Sequence, residues 1–126
     1  MCYQKLVKSF LDWEIFQEAY QASLNIHDLT KSFKGSLEDR MTFIHDIRRC
    51  AQSVCANLAE GFAKQNYSQE EFKSFISKSI GAADEIVFRL MYAKDLDCMS
   101  QSDFDKYKGI YNRIALTLTS FYKNES

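Results

Sequence analysis

Apolar residues recur along this chain at intervals of three and four residues, in four separate segments. This spacing places them on one face of an α-helix, because a helix completes a turn about every 3.6 residues. Strand-like alternation of apolar and polar residues is absent from the pattern. The recurring positions, segment by segment, are Phe16, Ala19, Tyr20, Ser23, Ile26 and Phe33; Ile44, Ile47, Ala51, Val54 and Leu58; Phe72, Ile76, Ser79, Ala83, Ile86, Leu90 and Ala93; and Phe104, Tyr107, Tyr111, Ile114, Leu118 and Phe121.

Local signals indicate where these helices begin and end. Ser68 stands three residues before Glu71, and Ser100 three residues before Asp103; Ser102 is a competing N-cap for the last helix. In such a capping box the serine hydroxyl accepts a hydrogen bond from the backbone N–H three residues further on. Gly61 follows the apolar run of the second segment and is well placed to end that helix, since glycine is common just beyond helix C-termini.

We therefore predict four helices joined by links of a few residues. Short links force consecutive helices to run antiparallel. The expected fold is all-α, an up-down-up-down four-helix bundle, in a single domain spanning residues 1–126. The helices are expected at roughly 12–34, 37–61, 68–96 and 101–123.

The composition favours the same fold class and excludes one class of function. The 126 residues include no proline, which would interrupt helices, and 46% are hydrophobic and 26% charged, as in ordinary globular proteins. A formal net charge of −1 excludes a strongly basic nucleic-acid-binding domain. A local basic patch is still compatible with this value, because net charge does not report how charges are distributed.

The cysteines and the N-terminal residues bear on the cellular compartment. The opening stretch MCYQKLVKSF carries charges where a secretory signal or membrane span would be apolar. None of the cysteines forms a CxxC pair, and we interpret them as free thiols in the core of a protein from a reducing compartment. We therefore expect a cytoplasmic protein with no membrane association. The cysteines are Cys2, Cys50, Cys55 and Cys98.

The second helix carries a distinct polar face beside its apolar one. From Cys50 to Ala59 it contains no charged residue, which is unusual for an exposed helix, and it is apolar or small nearly all round. A helix of this kind is buried on more than one side. We predict that its second side contacts a neighbouring helix or another subunit. The predicted contact residues are Arg49, Ser53, Asn57 and Glu60.

Candidate catalytic and metal-binding groups are few. His27 and His45 fall at similar heights in an antiparallel pair of helices, and with Asp46 they offer three potential metal ligands. A di-metal site in a helical bundle needs Glu-x-x-His pairs, and neither histidine has a glutamate three residues before it. No phosphate-binding, dinucleotide-binding or nucleophile motif is present. We expect no metal, no cofactor and no enzymatic activity.

A family resemblance emerges from two stretches of the sequence. The segment IRRCAQSVCANLAEGFAK resembles the signature of the four-helix-bundle proteins encoded in intervening sequences of bacterial 23S rRNA genes, which joins an Arg-Arg pair to Asn-Ile-Ala-Glu-Gly. FKSFISKSIGAADEI is similar to the Phe-x-x-Phe-Leu and Gly-Ser-x-x-Glu-Leu run of that family. The matching residues are Arg48, Arg49, Ser53, Asn57, Ala59, Glu60, Gly61, Phe62, Lys64, Phe72, Phe75, Ile76, Gly81 and Glu85.

The resemblance implies an antiparallel four-helix bundle that assembles into a ring-like homo-oligomer, commonly a pentamer. It implies no defined activity, because the activity of most members is unknown. A related branch, the accessory proteins of diversity-generating retroelements, binds a reverse transcriptase and nucleic acid.

Three hypotheses of function follow. The leading one is a non-enzymatic, oligomeric helical-bundle protein that acts by binding a partner. The alternative is a nucleic-acid-binding accessory factor, which would use a basic patch on the second helix and bind weakly. An enzyme is the third, and no catalytic constellation supports it. The candidate nucleic-acid contacts are Arg40, Arg48, Arg49 and Lys64.

Overall fold

A computed structural model of the chain describes residues 9–123. It contains four α-helices and, within the described residues, no strand, so the all-α prediction is confirmed. A short 3₁₀ helix, Phe10–Asp12, precedes the first of them. The helices are α1 (Glu14–Thr30), α2 (Leu37–Lys64), α3 (Gln69–Asp95) and α4 (Gln101–Tyr122).

Three of the four helices begin at a serine. The side chain of Ser68 accepts a hydrogen bond of 3.1 Å from the backbone N–H of Glu71, and that of Ser100 accepts one of 3.0 Å from Asp103. Both predicted caps are thus confirmed. Ser36 caps α2 in the same way, and each bond satisfies an N–H group that the first helical turn leaves without a partner.

Each helix runs antiparallel to the next, as the order of contacts along the helices shows. Between α2 and α3, Asp46 pairs with Arg89, and further along α2 the carbonyl of Val54 accepts a hydrogen bond from Ser79. Residue numbers therefore fall along α3 as they rise along α2, and the bundle is up-down-up-down. The same reversal appears in Thr30–Arg48 and Trp13–Phe62 between α1 and α2, in Lys94–Phe104 and Lys73–Tyr122 between α3 and α4, and in Asn25–Tyr107 and Trp13–Phe121 between α1 and α4.

The apolar faces of the four helices meet in one core. Ile47, Val54 and Leu58 on α2 are fully buried, as their spacing predicts. Tyr20 departs from the prediction, because its side chain is 51% exposed on the side of α1 that the core does not cover. Tyr111 lies at the centre of the core, where burial raises the pKa of its phenol above the usual value. No helix within residues 9–123 is long and apolar enough to cross a bilayer.

The first helix is shorter than the sequence predicts. The side chain of Ser9 accepts a hydrogen bond from Leu11 and caps the 3₁₀ turn, so α1 begins at Glu14 instead of residue 12. At its other end α1 stops at Thr30 instead of residue 34, and the backbone continues in hydrogen-bonded turns. The apolar spacing extends beyond this end because Phe33, outside the helix, is still buried.

Gly61 does not end α2, which corrects the prediction made from the sequence. The helix continues through it to Lys64, and Gly61 is buried. A Cβ atom added to Gly61 would lie 3.1 Å from the Cβ atom of Phe75 on α3. The glycine therefore allows two long helices to approach closely, and its signal in the sequence reflects packing and not termination.

Candidate functional site: the outer face of α2 and α3

The side of the bundle where α2 and α3 lie together against solvent contains most of the residues that the sequence singled out. Successive residues of a helix are turned by about 100°, so positions three, four and seven apart share a side. The residues of α2 and α3 that lie on this side define what we call the α2–α3 face. They are Asp46, Arg49, Ser53, Asn57 and Glu60 on α2, and Gly81, Glu85, Phe88, Arg89 and Tyr92 on α3.

A network of alternating charges crosses this face. Arg89 lies 2.8 Å from a carboxylate oxygen of Glu85 one turn earlier in α3, and 3.3 Å from a carboxylate oxygen of Asp46 on α2. Arg49 lies 3.5 Å from the other oxygen of Asp46. Arg89 therefore links α3 to α2 at this face.

The network also determines the protonation of its members. The hydrogen bond from Arg89 holds the pKa of the Glu85 carboxyl below its usual value. Beneath the network, burial raises the pKa of the Cys50 thiol, and its hydrogen bond to Glu85 raises it further. A thiol in this state is protonated at neutral pH and is a poor nucleophile. The network can hold two helices in register, and its own four charges are paired with each other.

The predicted contact residues of α2 behave differently from one another. The side-chain amide of Asn57 donates hydrogen bonds of 2.9 and 3.2 Å to the carbonyl and hydroxyl oxygens of Ser53, one turn earlier in the same helix. Arg49 pairs along its own helix, and Glu60 is exposed with no ion pair to any residue within 9–123. None of the four bonds to another helix of the chain through its side chain, so the subunit contact stays a prediction.

Sequence reasoning missed Arg89 and gave Asp46 no structural role. The i, i+4 spacing of Glu85 and Arg89 was a visible signal for a pair along α3. The link from Arg89 to Asp46 was not visible, because it depends on the register of two helices that are 43 residues apart at this point.

Arg48 is directed towards α1 and not towards solvent. Its Nε donates a hydrogen bond of 2.8 Å to the hydroxyl of Thr30, and its Nη2 donates one of 3.1 Å to the carbonyl of His27. These bonds satisfy groups at the C-terminal end of α1 and place a positive charge there, which the helix dipole favours. Arg48 therefore has a structural contact in the chain.

The four candidate nucleic-acid contacts do not form one patch. At about 100° per residue, Arg40, Arg48, Arg49 and Lys64 point to different sides of α2, and the first and last are separated by most of its length. Lys64 also pairs with Glu71 at 3.3 Å.

Large apolar side chains are exposed on α3 beside the charge network. Phe88, Met91 and Tyr92 are 49%, 44% and 52% exposed. The ring of Tyr92 lies 5.6 Å from that of Phe43 on α2 and 6.2 Å from that of Phe88, so the aromatic side chains form one cluster. These residues do not belong to the three-and-four spacing that defines the buried face of α3. Large apolar residues outside that spacing were the signal in the sequence for an exposed apolar surface.

On the opposite side of the bundle, the seam between α1 and α4 is open. A groove of about 310 Å³ lies in it, with Ala22 and Ile114 among its apolar residues. A second groove of about 440 Å³ continues towards the start of α1. We call the first groove the α1–α4 groove; it is lined by Glu18, Gln21, Ala22, Asn25, Ile110, Arg113 and Ile114.

Within the described residues, no group of three histidine, cysteine, aspartate or glutamate side chains is placed to hold a metal ion.

Comparison with known proteins supports the resemblance noted in the sequence. The sequence model of a family described as 23S rRNA-intervening sequence protein matches residues 11–120. The match extends from the 3₁₀ turn almost to the end of α4 and so includes both the α2–α3 face and the α1–α4 groove. A search of the curated proteins finds no match to the chain.

Proposed function

Because the chain belongs to the family of 23S rRNA-intervening sequence proteins, we propose that it is a non-enzymatic protein that assembles with copies of itself and acts by binding a partner. The observation that carries this proposal is the cluster of exposed apolar side chains on α3, Phe88, Met91 and Tyr92. Exposed apolar and aromatic clusters of this kind are typical of protein–protein contacts.

The adjoining surface of α2 supports the same proposal. Gln52 and Ala56 are exposed in the middle of a segment without charge, between Arg49 and Glu60. Depletion of charge at the centre of a surface, with charges around it, is the pattern of an interface core and its rim. We propose that the assembly is larger than a dimer; the family resemblance supports a pentamer.

The absence of catalysis is part of this proposal. The charged side chains of the α2–α3 face that come closest together, Asp46, Glu85 and Arg89, are engaged with each other. A catalytic acid, base or nucleophile needs a pKa tuned towards the pH at which it works, whereas Glu85 and Cys50 have pKa values shifted away from neutrality. We also place the protein in the cytoplasm, which the free thiols of Cys50, Cys55 and Cys98 support.

Light scattering on the intact protein after size-exclusion chromatography tests the assembly. We expect a mass several times that of the 14.7 kDa chain at micromolar concentration. A single species with the mass of one chain at that concentration would contradict the proposal. Capture of binding partners from the host, with and without nuclease treatment, then identifies whether a protein or a nucleic acid is bound.

A further inference from the structure

An exposed ridge runs along α3 on the side turned away from α1. Asp84, Phe88 and Met91 follow each other at intervals of four and three residues, and all three are exposed. They therefore project from one side of the helix. Asp84 forms no ion pair with any residue in the described part of the chain, so the ridge combines an apolar centre with an acidic end. We call these three residues the α3 ridge.

The α1–α4 groove has the complementary character. Ala22, Ile110 and Ile114 form its apolar part, and the polar side chains of Glu18, Gln21, Asn25 and Arg113 border them. Arg113 has no ion-pair partner among residues 9–123 and is the one cation of the lining. Its volume of about 310 Å³ exceeds the roughly 150 Å³ in which an apolar cavity holds a molecule of benzene. This volume is sufficient for an aromatic side chain, with the cation of Arg113 beside it.

Ridge and groove lie at the same height on the bundle. The contacts Lys94–Phe104 and Lys73–Tyr122 set the register of α3 and α4. Counting from these contacts, Phe88 is about level with Ile110, and Asp84 is about level with Arg113. When two copies of the bundle stand side by side in the same orientation, equivalent residues of the two copies lie at the same level. The apolar residue of one copy then faces the groove of the next, and the carboxylate faces the guanidinium.

Resting on the proposed assembly, we propose that the α3 ridge of one copy packs into the α1–α4 groove of a second copy. Phe88 enters the groove, and Asp84 pairs with Arg113 of the neighbouring copy. The complementary charges at matching heights are the reason for choosing a second copy as the occupant.

This contact joins two different surfaces of the chain. α3 packs against α2 and α4 and lies diagonally across the bundle from α1. A contact between unlike surfaces leaves each added copy with a free ridge or groove, so it adds further copies and ends in a ring where the rotation between copies closes. It therefore accounts for an assembly larger than a dimer, which a contact between identical surfaces would not.

Truncation of the aromatic residue is the first test. In the full chain, Phe88→Ser should raise the concentration at which half of the assembly dissociates by about tenfold or more, as for a central interface residue. Leu116→Ser is the matched control, since Leu116 is 72% exposed on α4, outside both surfaces. It should assemble like the parent. Light scattering over a dilution series measures both.

Charge reversal is the second test, and it does not depend on the fold tolerating a smaller side chain. Asp84→Arg alone and Arg113→Asp alone should each weaken the assembly, because like charges then face each other. The double variant should restore it towards the parent. Restoration identifies these two residues as partners across the contact, which a general effect on folding would not produce.

The outcomes of these tests distinguish failure of this inference from failure of the proposed assembly on which it rests. If the parent is a single chain at micromolar concentration, the proposed assembly is wrong and this inference is wrong with it. If the parent assembles but Phe88→Ser and both charge reversals assemble equally well, only this inference is wrong. If Phe88→Ser leaves the assembly intact and loses a captured host protein, the ridge binds that protein and not a second copy.

Discussion

Among the individual residues, Arg89 has the most consequential contacts on the α2–α3 face. It is 29% exposed and binds two carboxylates, Glu85 on its own helix and Asp46 on α2. Asp46 is 26% exposed, so the pair it forms with Arg89 is more shielded from water than the pair it forms with the half-exposed Arg49. Removing one partner of an exposed ion pair costs little stability, whereas removing one partner of a more buried pair costs more, because a shielded charge is left unpaired. Loss of Arg89 should therefore matter more than loss of Arg49.

We predict that Arg89→Met lowers the free energy of unfolding by about 1 kcal/mol at pH 7, because it leaves Glu85 without its cation and Asp46 with Arg49 alone. Arg89 holds the pKa of Glu85 lower in the folded chain than in the unfolded chain. The stabilisation is therefore present above the unfolded pKa of about 4.3 and is lost as the pH falls through the folded pKa. The difference between variant and parent should shrink below about pH 4. Denaturant unfolding at several pH values measures it.

Arg49→Met is the matched control for this experiment. It removes a cation from the same network, but one that pairs along its own helix at 3.5 Å. We expect a loss of less than about 0.5 kcal/mol. Equal losses for the two variants, or a loss at Arg89 that does not change with pH, would show that the network is not what joins α2 to α3.

For the helices as elements, the sequence predicts what depends on neighbours in the chain and misses what depends on neighbours in space. The three-and-four spacing and the serines at positions 68 and 100 are local, and they located the helices. The role of Gly61 is set by the Cβ atom of Phe75, which belongs to another helix. The link between Asp46 and Arg89 was missed for the same reason. The sequence therefore placed candidate residues on α2 and left the contacts between α2 and α3 unassigned.

Gly61→Ala tests whether close approach of the helices is what Gly61 provides. Alanine is favoured over glycine in a helix interior by about 0.8–1 kcal/mol. At position 61, however, the new Cβ atom would lie 3.1 Å from the Cβ atom of Phe75, so α3 would have to shift by a few tenths of an ångström. Overpacking of this kind costs about 1–3 kcal/mol. We expect a net loss of stability in thermal or denaturant unfolding.

Gly109→Ala is the control, for which we expect a change in stability of the opposite sign. Gly109 lies within α4, and nothing approaches within 4 Å of the position that its Cβ atom would take. Gly109→Ala should therefore gain about 0.5–1 kcal/mol. If both variants gain stability, α2 and α3 have room to separate, and Gly61 is not required for their packing.

For the molecule as a whole, the distribution of charge determines how strongly the chain can attract nucleic acid. The chain has 16 lysine and arginine residues and 17 aspartate and glutamate residues. On α2 the cations proposed for nucleic acid point to different sides, and Arg48 is bound to α1. Affinity for a phosphate backbone grows with the number of cations that reach it together, and so does its dependence on salt. A surface of this kind offers few such contacts in one chain.

We therefore predict weak, non-specific and salt-sensitive binding to nucleic acid, with a dissociation constant no tighter than about 10⁻⁶ M at physiological salt. Fluorescence polarisation with single- and double-stranded DNA and RNA, at low and physiological salt, measures it. The variant Arg40→Gln/Lys64→Gln removes two cations of α2, and Lys106→Gln/Lys108→Gln removes two from α4 as a control with the same change in net charge. Non-specific attraction should fall equally in both. Tight or sequence-selective binding that only the α2 variant loses would instead establish α2 as a nucleic-acid surface, formed when several copies bring their cations together.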